Sequence, residues 1–155
     1  HTKALCISDN YICMDEERIE GFKAAFAPGQ VKVLQIPIIK EERYEFYKEH
    51  LEEIKQYTAA FAVSDFYALE FMHYVQKEGL RVPEDISVIG FDDNTASREN
   101  IPSLTTIHQD ADVRAELAMS LLEKMRDGRK VENKITLPVN LIVRESTKND
   151  LRENE

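Results

Sequence analysis

The stretch Leu80–Thr106, LRVPEDISVIGFDDNTASRENIPSLTT, decides the reading of this chain. Its centre, Ile86–Gly90 (ISVIG), is apolar or small throughout and rich in β-branched residues. A run so short and so apolar predicts a strand buried on both faces, the habit of a parallel sheet. Pro83-Glu84-Asp85 leads into it as a turn in which the proline ring fixes φ. Gly90-Phe91-Asp92-Asp93 leads out, so two carboxylates follow the strand's carboxyl end. Open parallel α/β sheets take ligands outside the carboxyl ends of their strands, which puts Asp92 where a polar ligand would be gripped.

Outward from this strand the chain alternates between strand and helix. Upstream, Lys3–Ser8, Val31–Ile39 and Ala59–Val63 read as strands. Between them lie helical spacings: Ile19, Phe22 and Phe26, closed by Pro28-Gly29, and then Tyr44, Tyr47, Leu51 and Ile54 within residues 41–57. A further helix aligns Ala68, Met72 and Val75, with Ser64 or Asp65 as its cap and Gly79 as its stop. Short connections between such elements imply right-handed βαβ crossovers and a helix-covered parallel sheet, a Rossmann-like α/β fold. Past Thr106 the rhythm changes. Asp110–Arg126 is one amphipathic helix, striped by Val113, Leu117, Leu121 and Met125 and ended by Gly128. Ile135–Arg144 is extended, and Pro138 within it marks an edge or a hinge. The charged tail from Lys148 onward is expected to fray.

The chain has 155 residues, enough for one domain or one lobe with a real core. A net charge of −9 argues against this piece gripping a phosphate backbone, which needs a basic face. No run is long enough to span a bilayer, and no basic-apolar signal pattern opens the chain, so no membrane partner is expected. The chain lacks an initiator Met, as expected of part of a longer protein. Cys6 and Cys13 lack metal-type spacing; free thiols in a reducing cytoplasm are the simplest reading, with a disulfide between them the alternative.

VPEDISVIGFDD followed by IPSLTTIHQ resembles the lactose-repressor (LacI/GalR) family of bacterial transcription regulators, in their effector-binding domain. The likeness runs on from Lys3-Ala-Leu-Cys-Ile-Ser8 to Leu137-Pro-Val-Asn-Leu-Ile-Val-Arg-Glu-Ser-Thr147. It implies a periplasmic-binding-protein-like sensor of type I, built from two α/β lobes joined by crossing strands. Residues 1–106 would be the C-terminal lobe, and 107–131 a hinge and helix belonging with the N-terminal lobe. Residues 132–147 would return as a strand to the C-terminal lobe, leaving 148–155 as the tail. A DNA-binding headpiece and most of the first lobe would precede His1. The family implies a cytoplasmic homodimer that binds DNA through the headpiece and a sugar or sugar phosphate through the cleft, with no cofactor and no metal.

Residue by residue, the likeness names a site. Arg18, in Arg18-Ile-Glu-Gly21-Phe22, resembles the family's R-x-x-G-[FY] element, whose arginine contacts the effector; a salt bridge to Asp15 or a helix neighbour is the alternative. Asp92 matches the first Asp of the family's [FY]-D-[DN], also an effector contact. An Asp beside an Arg suits vicinal hydroxyls, because one accepts where the other donates. Ser64 stands where the family often has an Asn whose amide bonds the sugar. Asp65 reads as a helix cap rather than a ligand. Phe66 could face a sugar ring, with core packing as the alternative. Gln109 follows the crossing segment near the cleft. Asp9, Asn10 and Tyr11 are cleft candidates in the first strand–helix loop, or merely solvated. For the dimer, the resemblance suggests the helix from Phe66 to Lys77 and the segment Asn94–Ile101, with Leu69, Met72 and His73 as contacts and core burial the alternative for Leu69 and Met72.

Enzyme readings find little support. The chain has no nucleophile elbow, phosphate loop, zinc-protease helix or dinucleotide fingerprint, and its four histidines are scattered. A solute-binding protein of a sugar transport system shares the fold and is the competing reading. The same sensor joined to a winged-helix headpiece is a third.

Overall fold

The computed structural model describes residues 1–9 and 13–148, with the side chains of Cys13 and Met14 excepted. The expectations placed on Asn10, Tyr11, the Cys13 thiol and the tail from Asn149 onward lie outside these residues.

In chain order the elements are β1 (Ala4–Ser8), α1 (Cys13–Lys23), β2 (Val31–Gln35), α2 (Lys40–Glu49), α3 (Leu51–Ile54) and β3 (Ala59–Ala62). They continue as α4 (Asp65–Lys77), β4 (Ser87–Asp92), α5 (Thr95–Glu99), β5 (Thr105–Gln109), α6 (Ala111–Arg126) and β6 (Val139–Ile142). The strands form one sheet in the order β2-β1-β3-β4-β5-β6. All neighbours run parallel except β6, which lies antiparallel on β5 at the edge, where Pro138 led us to expect an edge or hinge. The reversal of strand order at β1 and β3 leaves a crevice at their carboxyl ends, where open α/β sheets bind ligands.

Period-2 alternation sends neighbouring residues to opposite faces. Leu5 and Ile7 of β1 join the larger core with Tyr47, Ile54, Phe71, Met72 and Val75. Cys6, between them, joins Ile19, Phe61 and Val63 beneath α1, with Phe22 packed against this cluster. Burial pushes the Cys6 thiol up to about 12, which leaves it chemically inert at neutral pH.

Several boundaries differ from the expected ones, each for a physical reason. β2 ends at Gln35 rather than Ile39, because Pro37 cannot donate to a ladder. The helix expected over 41–57 breaks at His50 into α2 and α3. Its stripe is only partly right: Tyr47 and Ile54 are buried, but Tyr44 is exposed. Arg43, on the polar side of the helical pattern, is buried instead. It donates to Glu70 on α4 and to the carbonyls of Pro37 and Ile38, and so clamps the loop after β2.

The chain end is stitched into the sheet. Ser146 is fully buried; its hydroxyl donates to Val88 O at 2.6 Å and accepts from Thr105 N at 2.8 Å, while its carbonyl accepts from Val88 N. α6 is the opposite case, since none of its residues is buried. Leu117 and Leu121 are half-buried beside the 132–140 segment, but Val113, Met119, Leu122 and Met125 are exposed. An apolar stripe of that extent normally meets a partner. In isolation the chain is therefore expected to self-associate through α6. Analytical ultracentrifugation should show mass rising with concentration, and the combined Met119→Lys and Leu122→Lys change should abolish the rise.

Candidate functional site

The site is assembled at the carboxyl ends of β1, β3, β4 and β5. Arg18 rises from α1 and is held at two points. Its Nη1 donates to Val63 O at 2.6 Å, and its guanidinium lies 4.0 Å from the Phe91 ring centre. Hydrogen bonding and stacking suit the planar guanidinium fork and fix its direction. The salt bridge to Asp15, the alternative for Arg18, does not form; buried Asp15 instead accepts from Ser8 Oγ at 3.3 Å.

Asp92 closes β4. Its φ is 125° and that of Asp93 is 57°, two consecutive non-glycine residues on the left-handed side. Such strain persists only where surrounding structure enforces it, and it gathers at ligand sites. Gln109 Nε2 donates to Asp92 Oδ1 at 3.0 Å, and Arg114 on α6 donates to Gln109 Oε1 at 3.3 Å. The net effect on the Asp92 carboxyl is upward. Burial raises its pKa first and the Asp65 charge adds to it, while the Arg18 charge, the Gln109 bond and Arg114 pull the other way. The Arg18 charge is thus felt at Asp92. A recess of about 600 Å³ opens beside Arg18 and Gln109 over Phe61, Ile89 and Phe91, while Asp92 lines a neighbouring recess with Arg98, His108 and Gln109.

Asp9 follows β1 and accepts from the Tyr67 hydroxyl at 2.5 Å. Burial, then this bond and the Asp9 charge, push the phenol up to about 12. Ser64 caps α4 by accepting from Tyr67 N at 3.4 Å, which leaves its hydroxyl proton available to a ligand. Asp65 is therefore not the cap. Its fully buried carboxylate accepts from Asn94 N at 2.9 Å and from Thr106 Oγ1.

Two expectations need correction. Phe66 is 55% exposed, so it is not a core residue. It lines a groove between α2 and α4 with Tyr44, Leu69 and His73, away from the recess beside Arg18. Met72 is fully buried and cannot contact another subunit, because its side chain is spent on the core. Leu69 stays half-exposed and His73 exposed, the latter hydrogen-bonded to Asn100 Oδ1 at 3.0 Å.

Sequence reasoning missed a cluster beneath Asp92. Asp93, 5% exposed at its side chain, takes Arg98 and His108, each at 2.9 Å, and Arg144. Burial by itself raises the Asp93 carboxyl, but bonds and charges from Arg144 and Arg98 together outweigh it and hold the pKa below the usual range. The second carboxylate of the FDD run was the available signal; its partners come from α5, β5 and the segment after β6.

Residues 1–147 match the family of periplasmic binding protein-like domains. Among curated proteins, the chain is 36% identical over 143 residues to the HTH-type transcriptional repressor PurR of Haemophilus influenzae, covering 86% of this chain and 43% of that protein. It is 30% identical over 139 residues to the ribose operon repressor of Lactococcus lactis, covering 85% and 42%. The chain thus spans less than half the length of these curated relatives. Among solved structures, the LacI-family regulator of Enterococcus faecalis V583 with bound ribose is similar at 28% identity and a TM-score of 0.81, covering 95% of this chain and 55% of that one. With the sheet order, the crevice and a match across nearly its whole length in agreement, this chain belongs to the family of periplasmic binding protein-like domains, in the form carried by LacI-type regulators.

Proposed function

We propose that this chain is the effector-sensing part of a LacI-type transcriptional regulator. It grips a sugar or sugar phosphate at the carboxyl ends of its strands. The observation that carries the reading is the placement of Arg18, anchored on Val63 O just past β3, and of Asp92 at the end of β4, with the Arg18 charge acting on the Asp92 carboxyl and Gln109 tying Asp92 to the strand that leads to α6. Arg18 donates and Asp92 accepts, so neighbouring hydroxyls of one ring can bond both. Ser64 and Asp9, just past the carboxyl ends of β3 and β1, add further polar contacts in this reading. The ribose found in the E. faecalis neighbour makes ribose the first ligand to try.

Residues 1–106 and 132–147 act as one lobe, while the exposed stripe of α6 packs on a further lobe. Ligand held between them favours one lobe orientation and so shifts a DNA-binding headpiece between operator-competent and incompetent states. Only unequal affinity for those states can do this. The regulator works as a cytoplasmic homodimer, pairing through Phe66, Leu69, His73 and the 94–101 segment, where Ile101 is 88% exposed. It holds no cofactor and performs no catalysis.

Titration calorimetry on the full-length regulator with ribose tests the site. Arg18→Ala and Asp92→Asn should each weaken binding about 10- to 100-fold, the worth of a hydrogen bond to a charged group. Unchanged affinity in both variants would overturn the assignment.

A further inference from the structure

We infer that Asp65 is a positioning residue, whose buried carboxylate holds the Asp92 turn in its gripping geometry and ties that turn to β5. The inference rests on the proposed role of Asp92.

One carboxylate serves two elements far apart in sequence. Oδ2 accepts the backbone N–H of Asn94 at 2.9 Å, immediately after the two left-handed residues. Oδ1 accepts the hydroxyl proton of Thr106, which is fully buried on β5. The same Thr106 oxygen accepts the backbone N–H of Asp93 at 3.4 Å. Asp65 and Thr106 therefore hold consecutive amides of the strained turn, and neither amide has another acceptor among the described residues. An ionised carboxylate suits this task, since it accepts at both oxygens and its bonds to N–H and O–H are stronger than neutral ones. It also lies at the first turn of α4, where the helix dipole favours negative charge.

Gly90 shows how closely the carboxylate is seated. A Cβ at Gly90 would collide with Asp65 Oδ1, and the nearest Leu104 methyl carbon would be only 2.8 Å away. Gly90 pairs with Thr106 across β4 and β5, so the carboxylate lies over that rung of the ladder. β5 runs on through Gln109 to α6. A displacement of the Asp92 turn is therefore passed to β5 through the Asp65–Thr106 pair as well as through Gln109.

The test compares Asp65→Asn, Thr106→Val and Thr106→Ser in the full chain. Asn keeps the shape but cannot accept at both positions; Val keeps the volume but loses the hydroxyl; Ser keeps the hydroxyl. Hydrogen exchange is read by NMR at the amides of Asp93 and Asn94 without ligand, and ribose affinity by calorimetry. In Asp65→Asn the Asn94 amide, and in Thr106→Val the Asp93 amide, should exchange at least tenfold faster, while the β3 amides keep their rates. Thr106→Ser should behave as the parent, and ribose should bind about tenfold more weakly to the first two variants alone. Unchanged exchange at both amides, or faster exchange with unchanged affinity, overturns the positioning role. If the parent takes no ribose, the sugar reading falls and the exchange rates alone judge Asp65.

Discussion

Replacing Asp93 by alanine should lower stability by about 3–5 kcal/mol, the range seen when one member of a buried charge cluster is removed. Arg144, only 16% exposed at its side chain, and His108 would lose their shared acceptor. For a chain of this length that is a fall in melting temperature of roughly 10 °C. Arg98→Ala is the control. Arg98 is 56% exposed, so screening by water should keep its loss within about 1 kcal/mol. Acid supplies a second readout. Because the folded pKa of Asp93 is depressed, the unfolded chain binds the extra proton as pH falls, and the stabilisation is lost. The gap between parent and Asp93→Ala should be full at neutral pH and close as pH drops below about 4, near the unperturbed aspartate value. Urea melts of both proteins across that range would show it; a gap constant down to pH 2 would refute the ion-pair account.

Gly90→Ala is the second large effect. A methyl added at Gly90 would meet the Asp65 carboxylate on α4 and the Leu104 side chain just before β5, with no open space to enter. Overpacking of this kind costs about 1–3 kcal/mol, and the upper end is expected because Asp65 cannot retreat without releasing Asn94 or Thr106. The measurement is a double-mutant cycle by denaturant melts. In an Asp65→Ala background the cost of Gly90→Ala should shrink markedly, giving a coupling of about 1 kcal/mol or more. Additive costs would mean the methyl is accommodated elsewhere.

How much was legible in the sequence follows from how local each signal is. ISVIG read as a central parallel strand because an apolar run bounded by turns carries its own pattern. Arg18 and Asp92 were singled out through motif likeness, and composition alone would have named neither. What stayed hidden depends on partners distant in the chain. Nothing local marked Arg43 for burial, because Glu70, its acceptor on α4, lies 27 positions away. Asp65 looked like a cap because capping is local, whereas Asn94 and Thr106 lie 29 and 41 positions on. The family resemblance assigned Met72 to a partner surface, and helical periodicity could not correct it, because an apolar face does not say what covers it. Phe66 failed in the other direction, an aromatic residue left in solvent beside a groove.

The stitching of Ser146 bears on how this protein comes apart. β6 and the segment behind it are secured by the ladder to β5 and by bonds reaching Val88, Ser103 and Thr105. None of those bonds needs the covalent path through residues 128–134. A chain severed there would remain one particle made of two peptides, the short one seated as an edge strand. The region is therefore a natural place to divide the gene into complementing halves.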